Sequence, residues 1–340
     1  MTETGVIGTN PDMWYGLQLH GNLDIELYPE IARRAEAYGF ADVAVHDAPL
    51  RRPCWPLLCD IARATSKVII SPDVTHPWFQ QPIVIAMNMA HLDELSGGRT
   101  LLGIGRGSMY NFVRMQNPST LVGLEEAVRV IQMLLSGERN EFEGKVFGLG
   151  PGPGLMFGSR RKLPVHFGTH GKKGVQLAVR IADGVRVAGQ WATGYMKLVR
   201  GWAEDAAAQL GQDLSGFELI TENWTYLHPD RELARREARR LVANFLPHLG
   251  FMNEFYGVDA DEVEAARAAS IHGDVDALAR IRDETIDLFM AAGDSDDLRK
   301  GLDRWQTAGF HAVSFSGALG PDTLVALDMI GEEMARRHCI

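Results

Sequence analysis

Six short stretches of the chain carry side chains that could do chemistry: His20, His46-Asp47, Asp73 to His76, Gly103 to Ser108, Gly168 to Lys172, and Gly189 to Trp191. Histidine titrates near neutral pH, so His20 and His76, together with the carboxylate of Asp47, are the candidates for moving a proton. His76 precedes Pro77, which biases it towards an extended backbone. Each has a plainer reading as well: a loop histidine can be a satisfied structural donor, and Asp47 can cap the turn that follows it. Two stretches suit an anion. Gly168-Thr169-His170-Gly171-Lys172 would aim backbone N–H groups and a helix N-terminus at a phosphate, and Gly103 to Ser108 would add the charge of Arg106. The same glycines would equally serve tight turns and nothing more.

These stretches share a place in the pattern, since each follows an apolar run and precedes a helical one. The strands are expected at Trp14 to His20, Ala41 to His46, Val68 to Ser71, Leu101 to Ile104, Pro164 to Phe167, Gly184 to Ala188, Phe217 to Leu227 and Ala312 to Ser316. Between them, amphipathic spacing predicts helices. One runs from Ile25 to Tyr38 with Asp24 as its N-cap and Gly39 as its stop, and another covers Leu121 to Ser136. Strict alternation of eight such units predicts an α/β fold with a parallel sheet closed into a (β/α)8 TIM barrel. No strand leads into a Gly-x-Gly-x-x-Gly turn with an acidic partner about 20 residues on, which argues against an open dinucleotide-binding sheet.

The chain is read as a single domain over residues 1–340. Insertions are expected near 137–162, which is rich in Gly and Pro, and near 231–290, which is mostly helical. In a barrel the active site lies at the C-terminal ends of the strands, where all six stretches fall. His46 is expected to point into the barrel wall or the helix layer. Trp55, Trp78 and Trp191 are candidates for pocket walls, or for packing.

Composition excludes several classes of function. Lys+Arg 34 against Asp+Glu 44 gives a net charge of −10, which disfavours nucleic acid and anionic membrane as partners. The sequence has no apolar stretch of membrane-spanning length and no basic-then-apolar leader, so a cytoplasmic protein is expected. Three cysteines, Cys54, Cys59 and Cys339, make neither a disulfide framework nor a zinc-ligand spacing, and no metal is expected.

Particular motifs then carry a resemblance. Ala35-Glu36-Ala37-Tyr38-Gly39-Phe40-Ala41-Asp42-Val43 resembles the junction into the second strand of the luciferase-like monooxygenase superfamily. Leu92-Asp93-Glu94-Leu95-Ser96-Gly97-Gly98-Arg99, with Leu102-Gly103-Ile104-Gly105-Arg106-Gly107 after it, resembles that superfamily's most distinctive stretch. Leu163-Pro164-Val165, Ala182-Asp183-Gly184-Val185 and Ala308-Gly309-Phe310-His311-Ala312-Val313 are similar to its later strands. The glycine turn after the fourth strand looks most like the branch that uses the deazaflavin coenzyme F420, the methylenetetrahydromethanopterin reductase-like branch.

The resemblance implies a dimeric TIM barrel with the deazaflavin across its mouth, exchanging a hydride with a small organic substrate. It implies that Asp73 and Val74 form a bulge, commonly with a cis peptide, behind the ring. Gly105, Arg106, Gly107, Ser108 and Met109 would lie beside the ribityl and phosphate, and Thr169, His170, Gly171 and Lys172 would cradle the phosphate. Asp47 matches an acidic residue bordering the ring. The chain departs from the sugar-oxidising members, which have Asp-His where this chain has His46-Asp47 and a glutamate where it has Arg106. It departs from the reductases as well, because Ser108 follows Gly107 without an intervening aspartate. The alternatives are a flavin mononucleotide (FMN)-dependent monooxygenase of the same superfamily and a non-catalytic flavin- or deazaflavin-binding protein.

Overall fold

The computed structural model describes residues 13–107, 120–152, 154–158 and 161–338. Nine strands, all paired in parallel, lie among them. These are β1 (Trp14–Leu19), β2 (Asp42–Val45), β3 (Ile69–Pro72), β4 (Leu102–Gly105), β5 (Val165–Gly168), β6 (Gly184–Ala188), β7 (Glu218–Leu227), β8 (Met290–Gly293) and β9 (Ala312–Leu319). The order is β3-β2-β1-β9-β7-β6-β5-β4. Bridges Ile70–Thr100 and Thr75–Ile104 bring the two ends together. Eight parallel strands in a nearly closed ring, with helices between them, make the (β/α)8 barrel that the alternation predicts.

Side chains alternate across each strand, and the two sides differ sharply in chemistry. One side is apolar and packs under the helices: Tyr15, Leu17 and Leu19 on β1, Val43 and Val45 on β2, Val185 and Val187 on β6, Val313 and Phe315 on β9. The other side lines the lumen and is mostly polar: Gln18, Asp42, His166, Arg186, Glu218, Glu222, Ser314 and Ser316. Many barrels fill this space with Val, Ile and Leu. Here glycine makes room for charge, since a Cβ on Gly16 would lie 2.4 Å from Asp42 Oδ1.

The structure differs from the sequence expectations in three places. The first helix begins at Leu27, not Ile25, and its N-cap position is Glu26, without a side-chain bond. Asp24 instead accepts the Leu27 N–H through its carbonyl, and Ile25 is half exposed. The expected helical stretch 231–290 contains helices Arg231–Phe245, Gly250–Tyr256, Ala260–His272 and Asp283–Phe289, but it is followed at once by a strand that the sequence pattern did not show, β8. The reason lies in β7, which is ten residues long. Its lower half pairs with β6 as far as Glu222, and its upper half, Trp224 to Leu227, passes beyond β6 and takes its partner from Met290–Gly293. The third difference is His46. It shares the lumen side of β2 with Asp42, two pairs of residues back, and so faces the mouth and not the helix layer.

No helix among the described residues is long and apolar enough to cross a membrane, and no cluster of His, Cys, Asp or Glu among them is arranged to hold a metal.

Candidate functional site

The floor of the site is the guanidinium of Arg186, brought in by β6 and wholly buried. Nη2 pairs with Asp42, and Nη1 lies 2.7 Å from Asp73 Oδ2 and 3.6 Å from Glu222 Oε1. Nε donates to His166 Nδ1 at 3.2 Å, and His166 Nε2 sits 3.0 Å from Glu218. The Arg186 bond makes His166 Nδ1 an acceptor. Gln18 Nε2 donates to the Asp73 carbonyl at 2.9 Å, and its Oε1 accepts from Ser316 at 2.6 Å. Arg186 thus runs along the barrel axis from the first residue of β2 to the end of β3. A guanidinium and several carboxylates here meet in direct contact, which holds the lumen in one arrangement.

Immediately above this floor the chain turns at Asp73–Val74, a cis peptide. The Val74 side chain is directed against the ends of β4 and β5, which are built from glycine to receive it. A Cβ on Gly105 would stand 2.9 Å from a Val74 methyl, and one on Gly168 would stand 2.9 Å from both. Val74, Gly105 and Gly168 therefore form one surface at the mouth.

Three histidines gather on the β1–β3 side. His20 and His46 have ring centroids 5.3 Å apart. The His76 ring meets the edge of Phe79 at 4.7 Å. Burial keeps all three neutral at physiological pH. It lowers His20 to about 3, with His46 and Arg51 adding to the effect. It lowers His46 to about 4 against the pull of Asp73, and His76 to about 4 with help from His46. Neutral imidazoles of this kind donate or accept hydrogen bonds without bringing charge.

Asp47 lies beside them but is already engaged: Thr75 Oγ1 donates to Oδ2 at 2.7 Å and Gln80 Nε2 at 3.0 Å. Gln80 is itself held by the Trp55 indole at 2.8 Å. Burial raises the Asp47 carboxyl, and the bonds from Thr75 and Cys54 act against that rise. The arrangement ties the loop after β2 to the loop after β3.

The anion cradle expected after the fifth strand is the start of helix Lys172–Ile181, whose N-terminus has no side-chain cap. The Thr169 hydroxyl lies over the first turn, where a Cβ on Gly174 would meet it at 2.1 Å. The Gly171 N–H reaches the same hydroxyl at 3.4 Å. His170 Nε2 is 3.0 Å from the Ala188 carbonyl, and Tyr195 donates to the His170 carbonyl at 2.5 Å, which anchors the loop to β6 and to helix Gly194–Leu210. Lys172 is exposed beside it, as is Arg106 after β4. Gly107 takes a left-handed φ of 79°. Ser108 and Met109 lie outside the described residues.

The structure therefore gathers Asp73, Val74, Gly105, Asp47, His20 and His76 at one end of the barrel, with Thr169 to Lys172 on the same rim. Sequence reasoning missed the floor (Gln18, Asp42, His166, Arg186 and Glu222) and placed His46 wrongly. A signal was present in Val185-Arg186-Val187, a charge bracketed by valines in a strand that parallel sheets bury on both faces. Trp191 proves to be packing, since its ring fills the space over Gly301.

The family model for luciferase-like monooxygenases matches residues 16–312. The chain belongs to this family. Among curated relatives, the 5,10-methylenetetrahydromethanopterin reductase of Archaeoglobus fulgidus is 28% identical over 335 residues, 95% of this chain and 96% of that one. The F420-dependent glucose-6-phosphate dehydrogenase of Microbacterium testaceum is 27% identical over 318 residues, 89% and 90% of the two chains. Among solved structures, the F420-dependent tetrahydromethanopterin reductase of Methanopyrus kandleri superposes with a TM-score of 0.87 at 23% identity, covering 96% of this chain and 99% of that one.

Within this luciferase-like chain, the motifs that carry the resemblance sit mostly at the opposite end of the barrel from the site. Glu36 accepts the backbone N–H groups of Ser66, Lys67 and Val68. Arg99 donates to the carbonyls of Ala62, Thr65, Val68 and Ser96. Asp93 accepts from Thr100 at 2.6 Å and from Arg161 Nε at 3.1 Å.

Proposed function

We propose that this luciferase-like protein is a coenzyme F420-dependent oxidoreductase that moves a hydride between the deazaflavin and a small organic substrate. The observation that supports this best is the pairing of a shaped backing with an anion cradle on one rim. Val74 is seated against Gly105 and Gly168, next to the uncapped helix start at Gly171-Lys172. The chain also covers 90% of a curated relative named for F420. The residues fit a flat, phosphate-bearing cofactor, because glycine at both strand ends lets the ring approach backbone and the free N–H groups of a helix start suit a phosphate.

When bound, the deazaflavin supplies a two-electron carbon centre for hydride transfer. In this reading Asp73, Val74 and Gly105 back the ring, Arg106 and Gly107 flank it, and Ser108 and Met109 belong to the same loop. Thr169, His170, Gly171 and Lys172 hold the phosphate. His20 and His76 stay uncharged beside the substrate, and His20 offers a hydrogen bond to a substrate oxygen or nitrogen, while Asp47 fixes the loop that carries His76. Orientation of two reactants and exclusion of water are the chain's contribution to rate.

The same reading takes the chain as one barrel domain with insertions near 137–162 and 231–290. A cytoplasmic location goes with it, supported by the free thiols of Cys54 and Cys59. A homodimer also belongs to it. Helix Pro82–Ser96 is apolar on its outer face as well as its inner one, with Ile83, Val84 and Met87 exposed in a row. Charging that row with Val84→Glu and Met87→Glu should shift the sedimentation of the protein from dimer to monomer, and an unchanged dimer would place the interface elsewhere.

Titration of the purified protein with F420 and, separately, with FMN, followed by fluorescence, tests the cofactor. Micromolar or tighter binding of F420 with weak binding of FMN is expected. Preference for FMN would make the protein a flavin-dependent monooxygenase. Tight F420 binding without reduction of any substrate in a screen with the reduced cofactor would make it a binding protein.

A further inference from the structure

The lumen holds more acid than base. At its centre Arg186 faces three carboxyl groups, Asp42 from β2, Asp73 after β3 and Glu222 from β7, all buried. His166 from β5 accepts from Arg186 through Nδ1, and Glu218 lies on the far side of it from Arg186. Gln18 from β1, 3.5 Å from Glu222 Oε2, and Ser316 from β9 bring no charge.

Arg186 holds one oxygen each of Asp42 and Asp73. Asp73 Oδ1 and Glu222 Oε1 are left with no hydrogen-bond donor among the described residues. Yet the two carboxyl groups are neighbours, because the same Arg186 Nη1 lies 2.7 Å from Asp73 Oδ2 and 3.6 Å from Glu222 Oε1. Two ionised carboxylates around one guanidinium nitrogen would repel one another in a buried lumen, with Asp73 Oδ1 and Glu222 Oε1 both short of a donor. A proton on one of the two groups relieves the repulsion and supplies a donor.

We propose that Glu222 carries a proton at neutral pH and donates it to Asp73, so that the pair is a proton-holding support beneath the Asp73–Val74 peptide of the mouth. Glu222 is then a positioning residue that acts through Asp73. Burial foremost, and the Asp73 charge after it, hold the Glu222 carboxyl well above the ordinary range, and the opposing pull of Arg186 is the smaller effect. The retained proton also removes one negative charge from below a rim built to receive an anion. The inference does not depend on which cofactor binds.

Infrared spectroscopy of the full chain tests it without any ligand. At pH 7 the spectrum should contain the carbonyl band of a protonated carboxylic acid, and labelling the glutamate carboxyls with carbon-13 should shift that band. Both measurements use the unmutated protein. Glu222→Gln keeps a neutral donor facing Asp73 and should remove the band. Absence of a protonated-acid band at pH 7, or a band untouched by the glutamate label, overturns the proposal. So does a band that survives in Glu222→Gln. A band lost in Asp73→Asn and kept in Glu222→Gln would move the proton to Asp73.

Discussion

The two ends of the barrel put their long polar side chains to different uses. At the N-terminal end, long polar side chains satisfy loop backbone. Glu36 takes three successive N–H groups, Arg99 takes four carbonyls, and Gln132 makes a two-way bond with the backbone of Leu163. At the C-terminal end, side chains bond mainly to one another, as Thr75 and Gln80 do to Asp47, while buried groups without a partner among the described residues occur at both ends, Trp14 Nε1 and Asp42 Oδ1 at strand starts and His46 Nδ1 and Asp73 Oδ1 towards the mouth. Buried polar groups are costly when unpaired, so a protein tolerates them where something else completes them. The difference separates residues that hold the barrel shut from residues that face the mouth, and it places the most family-like motifs in the first group.

The sharpest way to break this division is Arg186→Met. Removing the guanidinium leaves Asp42 and Asp73 buried without their cation, which costs about 3–5 kcal/mol. Chemical denaturation should show a loss of that size, or the variant should fail to accumulate as folded protein. A stable Arg186→Met would mean that the floor belongs to neither group.

Glu36→Ala comes next. It should lower stability by about 2 kcal/mol, discounted for the partial exposure of the carboxylate, and leave F420 affinity alone. Burial by itself would raise the Glu36 carboxyl, but the backbone bonds from Lys67, Val68 and Ser66 outweigh it and the net shift is downward. The Glu36 contribution is therefore full above the ordinary carboxyl range and is lost as pH falls through the lowered value. The stability difference between wild type and Glu36→Ala should shrink on acidification below about pH 4.5.

Gly168→Ala should do the reverse of Glu36→Ala. A methyl group 2.9 Å from the Val74 side chain must displace it. Binding of F420 should weaken about tenfold or more, equivalent to about 1.4 kcal/mol, with little change in Tm. A large fall in Tm with affinity retained would move the Val74 surface to the structural group. Lys172→Ala should have the smallest effect, a few-fold loss of affinity that fades as salt is raised.

Much of this organisation was legible in the sequence, for identifiable reasons. Strands such as Val165–Gly168 and helices such as Leu121–Ser136 announce themselves because apolar period and glycine stops agree. The rim was legible too, since strand ends are followed by glycine and histidine, and the cis peptide at Asp73–Val74 stands where the family resemblance placed it. The floor was not legible. Gln18, Asp42, His166, Arg186 and Glu222 are single polar positions on five different strands, and only closure of the ring makes them neighbours. Strand β8 was hidden for another reason, since Met290-Ala291-Ala292-Gly293 has no pattern of its own and is a strand because β7 outruns β6.

The pairing of β7 with β8 also decides how the intervening segment is attached. Leu227 and Gly293 are register partners, and the His228 N–H donates to the Gly293 carbonyl at 3.1 Å. Everything from 228 to 289 thus leaves the barrel after Leu227 and re-enters at Met290, the register partner of Trp224 on the adjacent strand. It is a cassette clipped in at its base. Its length and sequence can change while the ring keeps its closure, because the span between the two clips stays fixed whatever is threaded between them. Exchanging cassettes between relatives is accordingly the natural route by which one hydride-handling barrel would be refitted for another substrate.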